Sequence, residues 1–294
     1  SKAVELLGLG AASLRAIATD EAGAMVPEAL RETIERDRVA GFMPMAVVAT
    51  AGSASTGAID PLARVADVAE RAGLWLHVDG AFGALARLDR DLAPLMDGIE
   101  RAHSIAFDFH KWLHVPYDAG CVLVRDGACL PDVFATHADY LEAGRALAGG
   151  APWFGDLGPE LSRGFRALKV WFTLRHFGLD RLGRSIAHNC ALARHLARRI
   201  KSEPGARLLA PVALNIVCFR FEPPGRDETT LDRLTEDVVA ALQAGGLAAP
   251  STTRIGGRLA IRAAILNHRT TEADIDAFFD DAARLARARA PTGA

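Results

Sequence analysis

The stretch MAVVATAGSASTGAIDPLARVADVAERAGLWLHVD, residues 45–79, passes from one periodicity to another and back. MAVVAT (45–50) is an apolar run of strand length, and the turn-rich AGSASTG after it ends the strand. DPLARVADVAERAG then reads as a helix: Asp60 fits the N-cap, Pro61 the first helical position and Gly73 the stop. LWLHVD (74–79) is strand again, and AGCVLVRD (119–126) is a third. Strands separated by helix-length segments imply parallel crossovers, hence an α/β fold with a mainly parallel sheet and helices on its faces. Such sheets place chemistry at the carboxyl ends of their strands, where Thr50 and Asp79 fall.

Outward from this unit the pattern changes. LEAGRALAGGAPWFGDLGP (141–159) has the composition of a mobile loop. Leu161, Phe165, Leu168 and Phe172 recur at helical spacing, so LSRGFRALKVWFTLRHFG predicts a long helix ending at Gly178. NIVCFRF (215–221) and RLAIRAAI (258–265) read as strands flanking a helix near 230–243. A last helix starts at Thr271, with Asp274 in the capping-box position and Ile275, Phe278, Phe279 and Ala282 turned inward. The expected organisation is a large domain over 1–190 and a smaller α+β domain over 191–294. At the other end, SKAVELLGLGAASLRAI has neither a start methionine nor a signal-peptide cleavage pattern and is already amphipathic, which reads as mid-domain sequence.

Half of the 294 residues are hydrophobic, enough to bury a sizeable core. A formal charge of -2, with acids and bases interspersed, gives no footprint for nucleic acid or an anionic membrane. The expected ligand is a small molecule. No run approaches the roughly 20 apolar residues of a membrane span. Cys121, Cys129, Cys190 and Cys218 lie far apart without metal-type spacing, so they read as reduced thiols of a cytoplasmic protein.

Two stretches carry chemistry. HVDGAFG puts His77 and Asp79 two apart at a strand end, on one face. SIAFDFHKWLHVP (104–116) sets Lys111 between a histidine and a tryptophan after an apolar-leaning run, although lysine is seldom fully buried unless paired. One reading is a metal site, with His103, His110 and His114 completing the His77 and Asp79 pair, against which no helical ligand spacing such as HExxH occurs. The other joins Lys111, an amine able to form a Schiff base with an aldehyde cofactor, to Asp79, a carboxylate able to keep that cofactor's ring nitrogen protonated.

VVATAGSASTGAIDPL, WLHVDGAFGA, DFHKW, LSRGFRALKVWFTL and RLAIRAAILNHRTTEADID together resemble the pyridoxal-phosphate-dependent group II amino acid decarboxylases, in the family's order and at its approximate spacings. The resemblance implies the aspartate-aminotransferase-like architecture called fold type I, a homodimer with interface active sites, and pyridoxal 5'-phosphate (PLP) held as an aldimine on Lys111. It also implies that Asp79 pairs with the pyridinium nitrogen, that Ala81 packs on a ring face, and that His110 lies near the phosphate and imine. Thr50 and Ser53 would border the cofactor, and Arg262 would meet a substrate carboxylate.

Two departures accompany the resemblance. Family members are longer at the amino end, where they carry a phosphate-binding turn and a ring-stacking histidine, so the chain reads as a fragment or a gene lacking its first part. In the mobile loop, where many members place a proton-donating tyrosine, ungapped counting back from Arg166 gives Phe154, and the nearby tyrosine is Tyr140. The implied activity is decarboxylation of an L-amino acid to its amine, with Lys111 as base or proton donor. The alternatives are an aldehyde synthase or transaminase of the same fold, and a degenerate dimerising subunit without chemistry.

Overall fold

The computed structural model describes residues 2–135 and 153–289. A short helix α1 (Lys2–Leu6) buries none of its residues, and α2 (Pro27–Val39) packs Leu30 and Ile34 onto the first core. Then come β1 (Ala46–Thr50), α3 (Leu62–Ala72), β2 (Trp75–Asp79), β3 (Ser104–Asp108), the single-turn helix α4 (Phe109–Trp112), β4 (Gly120–Val124) and α5 (Cys129–Phe134). After the undescribed residues follow α6 (Arg166–Phe177), α7 (Leu179–Ser202), β5 (Ala206–Leu208), β6 (Ile216–Phe221), α8 (Glu228–Gly245), β7 (Ser251–Ile255), β8 (Arg258–Ala264) and α9 (Glu272–Arg289).

The first sheet has the order β1-β2-β3-β4. Its first three strands are parallel, in a register that aligns Thr50 with Asp79 and Asp79 with Ala106. The strand, helix and strand predicted at 45–79 are present, and within the strands Val47, Ala49, Leu76 and Val78 face the core while Val48 and Trp75 are exposed. Two expectations change. The segment 119–126 is not a further parallel strand; β4 runs antiparallel to β3, because the short connection through α4 returns the chain directly beside it. The strand that continues the parallel set is Ser104–Asp108, whose sequence shows only an apolar-leaning run.

The caps differ as well. Asp60 does not cap α3: its carboxylate, 8% exposed, accepts from the backbone N–H groups of Met25 and Thr50, both at 2.7 Å. Pro61 itself occupies the cap position, and Gly73 ends the helix in the left-handed conformation as expected. The helix predicted from Leu161 begins at Arg166, and Leu161 and Phe165, which share its helical spacing, are exposed ahead of it.

The second sheet, β5-β6-β8-β7, is antiparallel throughout, with α8 and α9 packed on it. Ile275, Phe278, Phe279 and Ala282 are buried as predicted, and Thr271 and Asp274 form the expected capping box. Helix α7 runs past both sheets: Leu182, Ile186 and Cys190 join the first core, Leu192, Leu196 and Ile200 the second. No helix among the described residues is long and apolar enough to cross a membrane.

Candidate functional site

Parallel pairing brings the carboxyl ends of β1, β2 and β3 to one edge, and backbone contacts too close for side chains hold that edge together. The turn after β1 and the turn after β2 touch at Gly52 and Gly83: a Cβ on Gly83 would lie 2.4 Å from the Ala51 carbonyl oxygen and 2.9 Å from Gly52 Cα. Gly52 also has φ +87, which a side chain rarely tolerates. The Gly83 N–H donates to Ala51 O at 3.0 Å, and the Gly80 N–H to Ala106 O at 2.8 Å, joining all three strand exits.

Asp79 ends β2 exposed, its Oδ1 accepting from the Ala81 N–H at 3.1 Å. Ala81 is half-buried on the same turn. Lys111 lies in α4, just beyond the end of β3, and its Nζ makes an ion pair with Asp108 Oδ2 at 2.7 Å. His110 has its Nδ1 occupied, accepting from the Ala119 N–H at 3.0 Å, so the neutral ring carries its proton on Nε2, which lies 3.9 Å from the same Asp108 oxygen. The exposed Tyr117 ring lies over His110, centroids 4.2 Å apart. The two segments meet through Phe82, on the Asp79 turn, and Trp112, next to Lys111, with ring centroids 5.6 Å apart.

Thr50 and Ser53 belong to this edge but are spent on local structure. The Thr50 N–H donates to Asp60. The Ser53 hydroxyl meets Thr56 Oγ1 at 3.0 Å and accepts from the Thr56 and Ala58 N–H groups, closing its own turn. Arg262 reaches that turn from the second sheet: its Nε donates to Ala54 O at 2.8 Å and its Nη1 to Ser251 Oγ at 3.2 Å. Phe154 is exposed in a 3-10 turn (Phe154–Leu157), whereas Tyr140 and residues 141–152 of the predicted mobile loop lie outside the described residues.

The histidines do not converge. His77 Nδ1 meets Ser104 Oγ at 2.8 Å, His103 Nδ1 accepts from the Leu76 N–H, and the His114 ring lies 4.7 Å from that of His268. Among the described residues no group of three or more His, Cys, Asp or Glu side chains could hold a metal ion. Burial pushes the His77 imidazole below its ordinary range, more than the Asp79 charge restores. Burial likewise pushes the Cys218 and Cys190 thiols up, to about 11 and about 12, leaving neither a ready nucleophile.

Asp108 is the residue that the sequence reading missed. Its signal was present in the DFHK spacing, because an acid three residues before a lysine shares a helix face with it. An amine, an exposed carboxylate and an imidazole with a fixed tautomer suit an aromatic aldehyde with a basic ring nitrogen: the amine would take the aldehyde and the carboxylate would keep the nitrogen protonated.

Residues 1–222 match the model of the pyridoxal-dependent decarboxylase conserved domain. The chain is 35% identical over 271 residues to an aromatic-L-amino-acid decarboxylase of Bacillus atrophaeus, covering 92% of this chain and 56% of that protein. It is 35% identical over 286 residues to an L-2,4-diaminobutyrate decarboxylase of Rhizobium meliloti (strain 1021), covering 97% and 57%. A crystal structure of Oryza sativa TDC with PLP and tryptamine superposes with a TM-score of 0.92 at 29% identity, over 98% of this chain and 60% of the other. The chain thus spans little more than half the length of these relatives.

Proposed function

We propose, for a chain that belongs to the pyridoxal-dependent decarboxylase family, that it carries the Lys111 and Asp79 portion of an L-amino acid α-decarboxylase using PLP. The observation that carries the reading is the juncture of the Asp79 turn and the Lys111 helix, joined by Phe82 against Trp112 and by the Gly80 N–H on the Ala106 carbonyl, while the Gly52 and Gly83 contact holds the Asp79 turn against the turn after β1. When bound, PLP supplies an electron sink for the bond broken at the α-carbon. Lys111 would hold its aldehyde end, Asp79 its protonated ring nitrogen, and Ala81 and His110 would flank it, with Thr50 and Ser53 fixing the turn alongside. Asp79 acts by charge placed in advance. Lys111, once freed from Asp108, exchanges a proton through Nζ, and His110 can donate from Nε2. Arg262, whose guanidinium is anchored on the Ala54 carbonyl, would meet a substrate carboxylate.

The substrate is an L-amino acid, and the enzyme a cytoplasmic homodimer. Support for dimerisation is the apolar surface of α6, which buries none of its residues and exposes Trp171 and Phe172. The division at 190/191 falls inside α7, between Cys190 of the first core and Leu192 of the second. Borohydride reduction with PLP, followed by peptide mapping, tests the site: the pyridoxyl group is expected on Lys111, and recovery on Lys169 or Lys201 instead sinks the assignment. Incubation of the loaded protein with aromatic, acidic and diamino acids is expected to release the amine and carbon dioxide from one class.

A second reading rests on Phe154, which has no hydroxyl to return a proton to the α-carbon. If no other donor serves, oxygen competes for that carbon, and aldehyde, ammonia and peroxide replace the amine. Amine is the expected main product because Lys111 and His110 remain as donors. Stoichiometric peroxide that disappears in Phe154→Tyr decides for the aldehyde synthase.

A further inference from the structure

Helix α7 carries an asparagine where its apolar stripe calls for an apolar residue. Asn189 is wholly buried, with Ile186, Cys190 and Ala193 equally inaccessible nearby on the helix. A buried amide is costly unless its hydrogen bonds are made. Asn189 makes two, in opposite directions: Oδ1 accepts from Trp112 Nε1 at 3.2 Å, and Nδ2 donates to the Asn267 carbonyl at 3.1 Å. The first partner adjoins Lys111, and the second lies in the segment leaving β8.

That segment is fastened to the same region twice more. The His268 ring lies 4.7 Å from the His114 ring, and His188 Nε2 meets Thr270 O at 3.0 Å. The helix bearing Lys111 needs outside support, because four residues do not hold a helical turn in water. Trp112, fully buried, is its anchor, fixed on one side by Phe82 and at its N–H by Asn189. Successive side chains of a helical turn point about 100° apart, so the setting of the indole fixes the direction in which the Lys111 side chain leaves the α4 backbone at Cβ.

We infer that Asn189 is a positioning residue, whose amide ties the Trp112 indole, and with it the Lys111 amine, to the Asn267 carbonyl of the C-terminal sheet's exit segment. The inference rests on the proposed role of Lys111, and its test separates the two. Trace acetylation with acetic anhydride, read by mass spectrometry, gives the reactivity of Lys111 against Lys169 and Lys201 in the same molecules, without cofactor. PLP capture and borohydride reduction form a second arm.

In Asn189→Leu, and in Trp112→Phe, which keeps an aromatic ring but lacks the N–H, the Lys111 acetylation rate is expected to change by about two- to tenfold, the range one hydrogen bond spans. The rates at Lys169 and Lys201 stay constant. Since the bond between Asn189 and Trp112 is lost in either substitution, the double variant is expected to match the more affected single variant rather than multiply the two. Unchanged Lys111 reactivity in both singles, or multiplicative effects in the double, overturns the inference. So does loss of folding in both, because the bridge would then serve the core alone. A wild-type chain that captures PLP without preference for Lys111 overturns the functional reading, while the acetylation arm still decides the role of Asn189.

Discussion

Lys111 rests as half of an ion pair, and an ammonium held by a carboxylate is not a nucleophile. Before the amine can attack an aldehyde, its 2.7 Å contact with Asp108 has to open. Both side chains are partly exposed, so the pair is worth about 0.2–1 kcal/mol, as such pairs usually are. Asp108→Asn, which keeps a hydrogen-bond partner but removes the charge, is therefore expected to speed PLP capture at Lys111 by about two- to fivefold. Raising the salt concentration should give part of that gain in the wild type and none in the variant. Stopped-flow absorbance of the captured cofactor checks this, and slower capture in Asp108→Asn would mean that the carboxylate assists the reaction. At this scale the sequence was informative where a residue type was out of place for its context: a lysine after an apolar run, an aspartate ending a strand. It was silent on Asp60, because a buried carboxylate serving two distant backbone N–H groups looks, in sequence, like an ordinary helix cap.

The strand exits depend on glycines for space more than for backbone freedom. Gly83 has no positive φ, yet a Cβ there would meet the Ala51 carbonyl at 2.4 Å and Leu214 Cδ1 at 2.9 Å, and the carbonyl belongs to a hydrogen-bonded strand end that cannot yield. Gly83→Ala is expected to destabilise the chain by about 1–3 kcal/mol, as overpacking does. Gly127→Ala, with nothing within 4 Å of its Cβ, is expected to stay within about 0.5 kcal/mol of wild type. Urea denaturation midpoints compare them; equal midpoints would show that the two turns can move apart. Apolar runs located β1, β2, β6 and β8, and a helical stripe located α9; of the strands, β1 and β2 alternate in burial while β6 is buried at every position. Periodicity missed the start of α6 because Leu161 and Phe165 keep helical spacing ahead of the helix, and the direction of β4 because antiparallel return is a property of the connection.

Across the whole molecule, local patterns told of two sheets but not of the contacts that join them: His114 with His268, Asn189 with Asn267, Arg262 with Ala54. These pairs are 70 or more residues apart in the chain, and only the folded arrangement creates them. One has a consequence for stability against pH. His114 Nε2 is buried with no hydrogen-bond partner among the described residues. Burial, and then the facing His268, push its imidazole below the ordinary range, and burial does the same to His77 in the first sheet. Between the lowered folded value and an unfolded value near 6.5, the unfolded chain binds more protons, so stability rises with pH there. It is fully present above about pH 6.5 and declines as the pH falls below, before the paired carboxylates of Glu228, Asp232 and Asp276, all held below their usual range, begin to titrate in the unfolded chain near pH 4. The urea midpoint should therefore be level from pH 7 to 8 and fall between about pH 6.5 and 5. His114 has φ 56, which asparagine tolerates better than most residues, so His114→Asn can remove the titrating ring without straining the backbone further. In that variant the decline between pH 6.5 and 5 is expected to be shallower, with His77 supplying what remains; a slope identical to wild type would show that protonated His114 finds solvent without opening the contact between the sheets.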